Sequence, residues 1–267
     1  MTTTRRTLAA AIAGLLTSVL TLAAVPAHAQ APDWKKVRIA VEGAYPPFSE
    51  IGPDGKIKGF DIDIANALCA EMKAECTLVQ AEWDGMIPAL QARKFDAIVA
   101  QMSITEERKR SVAFSDKYAN TPAWLVAKAG APAAQTAEAW KGKRIGVQRT
   151  TTHDRYATAH FKHSEIIRYA KQDELYLDLA AGRIDALLAD SVAVDLGFLK
   201  TPAGKGFAQV GAAIDDPVIF GIGAGIAVRK ADTALVQKLN AAIKAIRANG
   251  TYKKIQDKYF SFDIYGG

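Results

Sequence analysis

Two short segments recur in this chain in the same order. Arg38-Ile39-Ala40-Val41-Glu42 is echoed by Arg144-Ile145-Gly146-Val147-Gln148, and Lys94-Phe95-Asp96-Ala97-Ile98-Val99-Ala100-Gln101 by Arg183-Ile184-Asp185-Ala186-Leu187-Leu188-Ala189-Asp190. Each is an apolar run, short enough for a strand buried on both faces, that ends on a polar residue. A pair of such runs, repeated once, predicts two similar α/β lobes within one chain.

The pattern between these runs agrees. Strands are expected at 37–41, 76–81, 95–100, 144–147, 166–169, 184–189 and 225–229, with a Gly52-Pro53-Asp54-Gly55 turn after the first. Helices are expected around 84–94, 152–161, 173–181 and 191–199. Asp61 is placed to cap a helix with Ile64, Leu68 and Met72 on one face. Asp232 is placed to cap a long helix with Leu235, Leu239, Ile243 and Ile246 facing inward, stopped by Asn249-Gly250. The βα alternation argues for an α/β fold with two mostly parallel sheets flanked by helices.

The last strand and the long helix have no third lobe to join, so they are expected to pack back on the first. That places lobe 1 at 30–119 and 224–267 and lobe 2 at 123–214, with hinge segments near 120–122 and 215–223. Ligands of open α/β sheets sit beyond the carboxyl ends of the strands. One rim would carry Glu42-Gly43-Ala44-Tyr45 and Gln101-Met102-Ser103; the facing rim would carry Gln148-Arg149-Thr150-Thr151-Thr152-His153 and Asp190. Between them lies a cleft suited to a small molecule.

The 267 residues carry a formal charge of +6, which raises the question of nucleic acid. The N-terminus argues against it. Arg5-Arg6 precedes a largely apolar stretch from Leu8 to Val25, and Pro26 and Ala27-His28-Ala29 follow. A basic segment, an apolar segment and an Ala-x-Ala site read as a secretory signal peptide over residues 1–29. A membrane anchor would want about 20 strongly apolar residues and no cleavage site. Thr7-Leu8-Ala9 fits a twin-arginine signal poorly, which favours general export. Removal of the segment takes away two arginines and no acid, leaving a charge of +4 with no long basic block. No nucleic-acid partner is expected.

Cys69 and Cys76 are the two cysteines, and in an oxidising compartment they read most simply as a disulfide closing a small loop. With only His153, His160 and His163 after the signal, no metal site is expected, and nothing asks for a catalytic residue or a cofactor.

Several motifs follow one another in order: Glu42-Gly43-Ala44-Tyr45-Pro46-Pro47-Phe48, Gly59-Phe60-Asp61-Ile62-Asp63-Ile64, Trp83-Asp84-Gly85, Ser103-Ile104-Thr105-Glu106-Glu107-Arg108, Phe114-Ser115-Asp116 and Gly250-Thr251-Tyr252. With them the chain after the signal resembles the family 3 periplasmic solute-binding proteins of ABC importers, and in particular their lysine/arginine/ornithine- and histidine-binding members. The Cys69/Cys76 spacing is similar to the disulfide of those proteins. The resemblance implies a two-lobe, type II binding-protein fold, a periplasmic location, an inner-membrane ABC permease as partner, and a monomer. It implies a cationic L-amino acid as ligand, with arginine ahead of ornithine, lysine and histidine.

The same resemblance assigns roles. Arg108 would grip the ligand α-carboxylate, a bidentate task that lysine does not reproduce, with amides near Ser103 and Thr152 assisting. Asp190 would meet the α-ammonium, helped by the Ser103 hydroxyl and the Gln101 carbonyl; it is also placed to cap the following helix. Tyr45 and Trp83 would sandwich the aliphatic stem, with Glu42 at the far end facing the distal cation. Departures from the best-known members fall at Glu42 (usually Asp), Ala100-Gln101 (usually two serines), Gln148 (usually apolar) and Thr150-Thr151-Thr152-His153 (usually Gly-Ser-Thr-Gln). His153 is positioned to hydrogen-bond the ligand side chain. Two other readings accompany the main one: an opine-binding protein of the same family, and an enzyme resembling cyclohexadienyl dehydratases on the same fold. The enzyme would want a second cation where Glu42 stands.

Overall fold

A computed structural model describes residues 33–266; the export segment expected at 1–29 lies outside them. The elements begin with β1 (Lys36–Val41), β2 (Ala44–Tyr45), β3 (Ser49–Ile51), β4 (Ile57–Lys58), α1 (Phe60–Glu71) and β5 (Glu75–Gln80). Next come α2 (Met86–Gln91), β6 (Ala97–Ile98), α3 (Glu106–Lys109), β7 (Ala113–Ala119), β8 (Ala123–Lys128) and β9 (Arg144–Gln148). They continue with α4 (Thr152–His160), β10 (Glu165–Tyr169), α5 (Gln172–Ala180), β11 (Ala186–Asp190), α6 (Ser191–Val194) and β12 (Phe207–Ile214). The chain closes with α7 (Pro217–Phe220), β13 (Ala224–Val228), α8 (Thr233–Ala248) and α9 (Thr251–Tyr259).

Two five-stranded sheets share one plan, with strand orders β5-β1-β6-β13-β7 and β10-β9-β11-β8-β12. In each, four of the five strands run the same way and the fourth in order is reversed. The reversed strand differs in origin. In the second sheet it is β8, which directly follows the first sheet's β7; in the first sheet it is β13, which returns after the second sheet is complete. The chain therefore passes between the sheets twice, as the unpartnered last strand suggested. α8 buries Leu235, Leu239, Ala242, Ile243 and Ile246, a helical stripe that packs on β7 and α1.

Alternation along the central strands builds a core on both faces of each sheet. β1 sends Val37, Ile39 and Val41 to one core and Ala40 to the other. In the second sheet Leu188 faces one core while Leu187 and Ala189 face the other.

The repeated sequence is repeated geometry. The Arg38 main-chain N–H and Nε donate to Asp96 Oδ2 at 3.1 and 3.0 Å, and Nη2 donates to Oδ1 at 2.9 Å. Arg144 treats Asp185 alike, at 2.8, 3.1 and 3.3 Å. Each arginine thereby ties the start of a central strand to the start of its parallel neighbour.

Several local expectations are corrected. Asp61 does not cap α1; Gly59 holds the cap position at φ 131°, where a Cβ would collide with the Phe48 carbonyl, and the Asp61 side chain turns inward. The helix expected at 84–94 is a 3-10 turn, Trp83–Gly85, followed by α2, and Arg93 in a left-handed conformation ends it. The helix expected at 191–199 is α6 followed by a π-helical turn, Asp195–Leu199. Asp232 stands at its cap position, but its carboxylate pairs with Arg229 Nε at 2.7 Å instead of capping. The strands β7, β8 and β12 and the small β2-β3-β4 sheet add to the expected set.

Cys69 of α1 and Cys76 of β5 form a disulfide. Closing so short a loop restricts the unfolded chain by about 2–3 kcal/mol. A Cys69→Ser/Cys76→Ser variant is expected to lose that much in urea unfolding, and an unchanged midpoint would contradict it.

Candidate functional site

The residues singled out in the sequence gather where the strands end. Glu42 follows β1, Ala100, Gln101 and Ser103 follow β6, Gln148 closes β9, and Asp190 closes β11. Tyr45 comes from β2, Trp83 from the 3-10 turn, Arg108 from α3, and Thr151, Thr152 and His153 from the start of α4. All of these except Asp190 line one cavity of about 30 Å³. Asp190 borders an adjoining cavity of about 50 Å³, which shares Tyr45, Gln101, Ser103, Thr152 and His153 with the first. The twelve residues thus form one continuous site with two chambers. Beyond Glu42 and Trp83 a groove of about 650 Å³ opens, bordered by Glu50, Glu82, Asp173 and Lys171.

Arg108 supplies the positive charge. Thr105 caps α3 by accepting from the Arg108 main-chain N–H at 3.2 Å. The guanidinium then donates to the main-chain carbonyls of Ser103 at 3.1 Å and Thr150 at 3.5 Å. It lies 5.2 Å from the centre of the Trp83 ring, a cation–π distance. Burial, with Arg155 adding to it, pulls its pKa down to about 10 against the opposing pull of Glu107; the group remains charged at neutral pH. A charged guanidinium placed in this way on a cavity wall can receive an anion.

Two acids supply the negative charge. Asp190 accepts from Val192 N–H at 2.9 Å and Ala193 N–H at 3.0 Å through Oδ1, and from the Thr121 hydroxyl through Oδ2. It caps α6 and borders the cleft at once. Burial raises its pKa above the ordinary value, opposed by those three hydrogen bonds. Glu42 is 6% exposed and accepts from Gln148 Nε2 at 2.6 Å. Burial raises Glu42 to about 7, with Gln148 pulling the other way, Asp173 raising it further and Lys171 lowering it. Gln148 Nε2 also donates to the Ala170 carbonyl at 3.2 Å. His153 keeps partial exposure, yet desolvation of its imidazole and the charge of Arg108 hold its pKa down at about 3. Its ring lies 5.4 Å from that of Phe220.

Groups on opposite sides of the cleft meet. Glu42 and Gln148, the corresponding residues of the two repeats, are hydrogen-bonded to each other. At the rim Asp84 pairs with Arg149 and Glu107 with Arg155, both at 2.5 Å. Gln101 and Thr150 both take left-handed backbone, at φ 49° and 59°. Non-glycine residues there cost on the order of 1–3 kcal/mol and tend to mark functional sites. Reading the sequence by itself missed Thr121, Phe220 and the two rim pairs. In sequence Thr121 stands only within the expected hinge, and the rim pairs join residues far apart in the chain with no local signature.

Two similar α/β halves with a small site of mixed charge between them define a two-lobe ligand-binding protein. The family model for bacterial extracellular solute-binding proteins, family 3, matches residues 37–262. The chain belongs to this family. It is 58% identical over 234 residues to the L-arginine-binding protein of Pseudomonas aeruginosa, covering 87% of this chain and 90% of the relative. It is 42% identical over 257 residues to the lysine/arginine/ornithine-binding periplasmic protein of Escherichia coli, covering 96% of each. Among solved structures it resembles a Salmonella typhimurium periplasmic binding protein described for its high arginine specificity, with a TM-score of 0.78 and 34% identity, covering 85% of this chain and 99% of that one.

The raised pKa of Glu42 has a definite sign for stability. The folded state holds this proton more tightly than the unfolded chain, whose ordinary value is 4.5, so the contribution is full below about pH 4.5 and is lost as pH rises through about 7. Without ligand, Glu42→Gln is therefore expected to lessen the loss of stability between pH 5 and pH 8, read from urea midpoints. An equal loss in wild type and variant would contradict the assignment.

Proposed function

We propose that this protein is the periplasmic substrate-binding component of an ABC amino-acid importer and that it captures a cationic L-amino acid, with arginine preferred over ornithine, lysine and histidine. The observation that carries the proposal is the set of charges in the site: Arg108 on α3, Asp190 at the end of β11, and Glu42 beside Gln148. A basic amino acid carries the complement, an α-carboxylate for Arg108, an α-ammonium for Asp190 and a distal cation for Glu42. The names of the relatives support the same ligand class.

In this reading the lobes are 30–119 with 224–267, and 123–214, and they move on hinges near 120–122 and 215–223. One ligand bridging Arg108 and Asp190 binds the closed arrangement better than the open one, and that difference in affinity drives closure. The rim pairs Asp84–Arg149 and Glu107–Arg155 are partly exposed; they are worth at most about 1 kcal/mol each and trim the equilibrium without setting it. The acidic groove beyond Glu42 raises the local concentration of cations at the mouth. The protein acts as a monomer, is exported by a cleaved N-terminal signal, delivers its cargo to an inner-membrane permease, and binds its ligand without turning it over.

Calorimetric titration tests this directly. Wild type is expected to bind L-arginine. Arg108→Ala is expected to lose more than about 100-fold in affinity, because an unpaired buried charge costs several kcal/mol. Asp190→Asn is expected to lose as much while keeping the α6 cap, since asparagine caps as well as aspartate. Glu42→Gln should weaken arginine far more than a neutral amino acid, and undiminished arginine affinity in that variant would overturn the pocket assignment.

A further inference from the structure

The Gly59-Phe60-Asp61 motif has a part in the site that its place on α1 does not suggest. Asp61 is fully buried and lines neither chamber of the site. Its Oδ1 accepts from Gln101 Nε2 at 2.7 Å and from the Tyr118 hydroxyl at 3.1 Å. The Tyr118 oxygen in turn accepts from the Gln101 main-chain N–H at 2.9 Å. Asp61, Tyr118 and Gln101 therefore close a ring of three hydrogen bonds, and the ring grips Gln101 by both its side chain and its main chain.

The three members of this ring are held in different ways. Asp61 is set in place by main-chain bonds from Phe60 N–H to the Pro47 carbonyl at 3.0 Å and from Asp61 N–H to the Phe48 carbonyl at 2.9 Å. The Tyr118 ring stacks on Phe60, and the Tyr118 carbonyl accepts from the Tyr252 hydroxyl at 2.5 Å. Gln101 is the member that meets the cleft: it stands in left-handed backbone at φ 49°, borders both chambers, and lies between β6 and Ser103. A residue in that conformation persists only where its surroundings over-determine it, and the ring is what does so. An acid used only to fill the core would be replaced at no loss by an apolar side chain of similar size. Here its hydrogen bonds come instead from Gln101, a cleft residue in left-handed backbone, and from Tyr118, which itself holds the Gln101 main chain.

We infer that Asp61 is a positioning residue of the binding site: acting through Gln101, it holds the segment from Ala100 to Ser103 in the shape that receives the head group of the ligand. The inference rests on the functional reading above. It also accounts for Gln101 itself, whose amide is drawn inward to Asp61 and so leaves the head-group chamber to the main chain and Ser103.

The test is a double-mutant cycle read by calorimetry with L-arginine, with thermal unfolding followed separately. Asp61→Ala and Gln101→Ala are each expected to lower affinity about tenfold, and the double variant is expected to be no weaker than the weaker single variant, since both break the same ring. Asp61→Asn keeps an acceptor for both donors and is expected to stay within about threefold of wild type. Losses that multiply in the double variant, unchanged affinity in Asp61→Ala, or an Asp61→Asn loss as large as that of Asp61→Ala would each overturn the inference. Should Asp61→Ala fail to fold, Tyr118→Phe cuts the ring at its hydroxyl; its loss should not multiply with that of Gln101→Ala, and a multiplying loss overturns the inference equally. Wild-type titrations with arginine, ornithine, lysine and histidine report on the functional reading by themselves, and the cycle is read on whichever of these wild type binds.

Discussion

In each half of this chain an arginine at the start of a central strand clasps an aspartate at the start of the parallel neighbour. Arg38 and Asp96 set β1 against β6, and Arg144 and Asp185 set β9 against β11. Arg144 holds the Asp185 carboxyl below its ordinary value; at Asp96 burial pushes the other way, and hydrogen bonds from Arg38 and Arg229 outweigh it. The clasp fixes register, and register decides which residues emerge at the far ends of the strands. Glu42 and Ala100-Gln101 leave one sheet side by side, and Gln148 and Asp190 leave the other. Because the two halves repeat the plan, equivalent positions face each other, and Glu42 meets Gln148.

The site then follows from burial of charge. Arg108, Asp190 and Glu42 are all desolvated, and each is shifted toward its neutral form by that desolvation. Such groups gain most from a partner of opposite charge delivered together with exclusion of water. A ligand with its own three charges in matching order satisfies all of them at once. A chain with a formal charge of +6 can thus offer a site suited to a cation, since charges within a few ångströms in a low-dielectric cleft outweigh a screened surface total.

Much of this was legible in the sequence because it repeats. The paired runs predict the two sheets, and their polar ends predict the cleft. The twelve residues singled out there border the two adjoining chambers. What was illegible depends on contacts across long sequence distance. An acid near a helix start is the usual signal of a cap, which is what the sequence suggests for Asp61, but Gly59 takes that position and frees Asp61 to reach Gln101, forty residues on. β7 reads Ala-Phe-Ser-Asp-Lys-Tyr-Ala and shows no clean alternation, because Tyr118 and Ala119 are both buried at its end while Asp116, in the middle, is exposed. The hydroxyl of Thr121 reaches Asp190 only because β7 passes straight into β8 at the crossing between sheets.

In the proposed function one amino acid bridges the two halves by its head group, its carboxylate on Arg108 and its ammonium on Asp190. Calorimetric titration with agmatine, which is arginine without the carboxylate, examines that bridge most directly. The account predicts no measurable agmatine binding at concentrations where L-arginine saturates the protein. Agmatine binding as tight as that of L-arginine would contradict it.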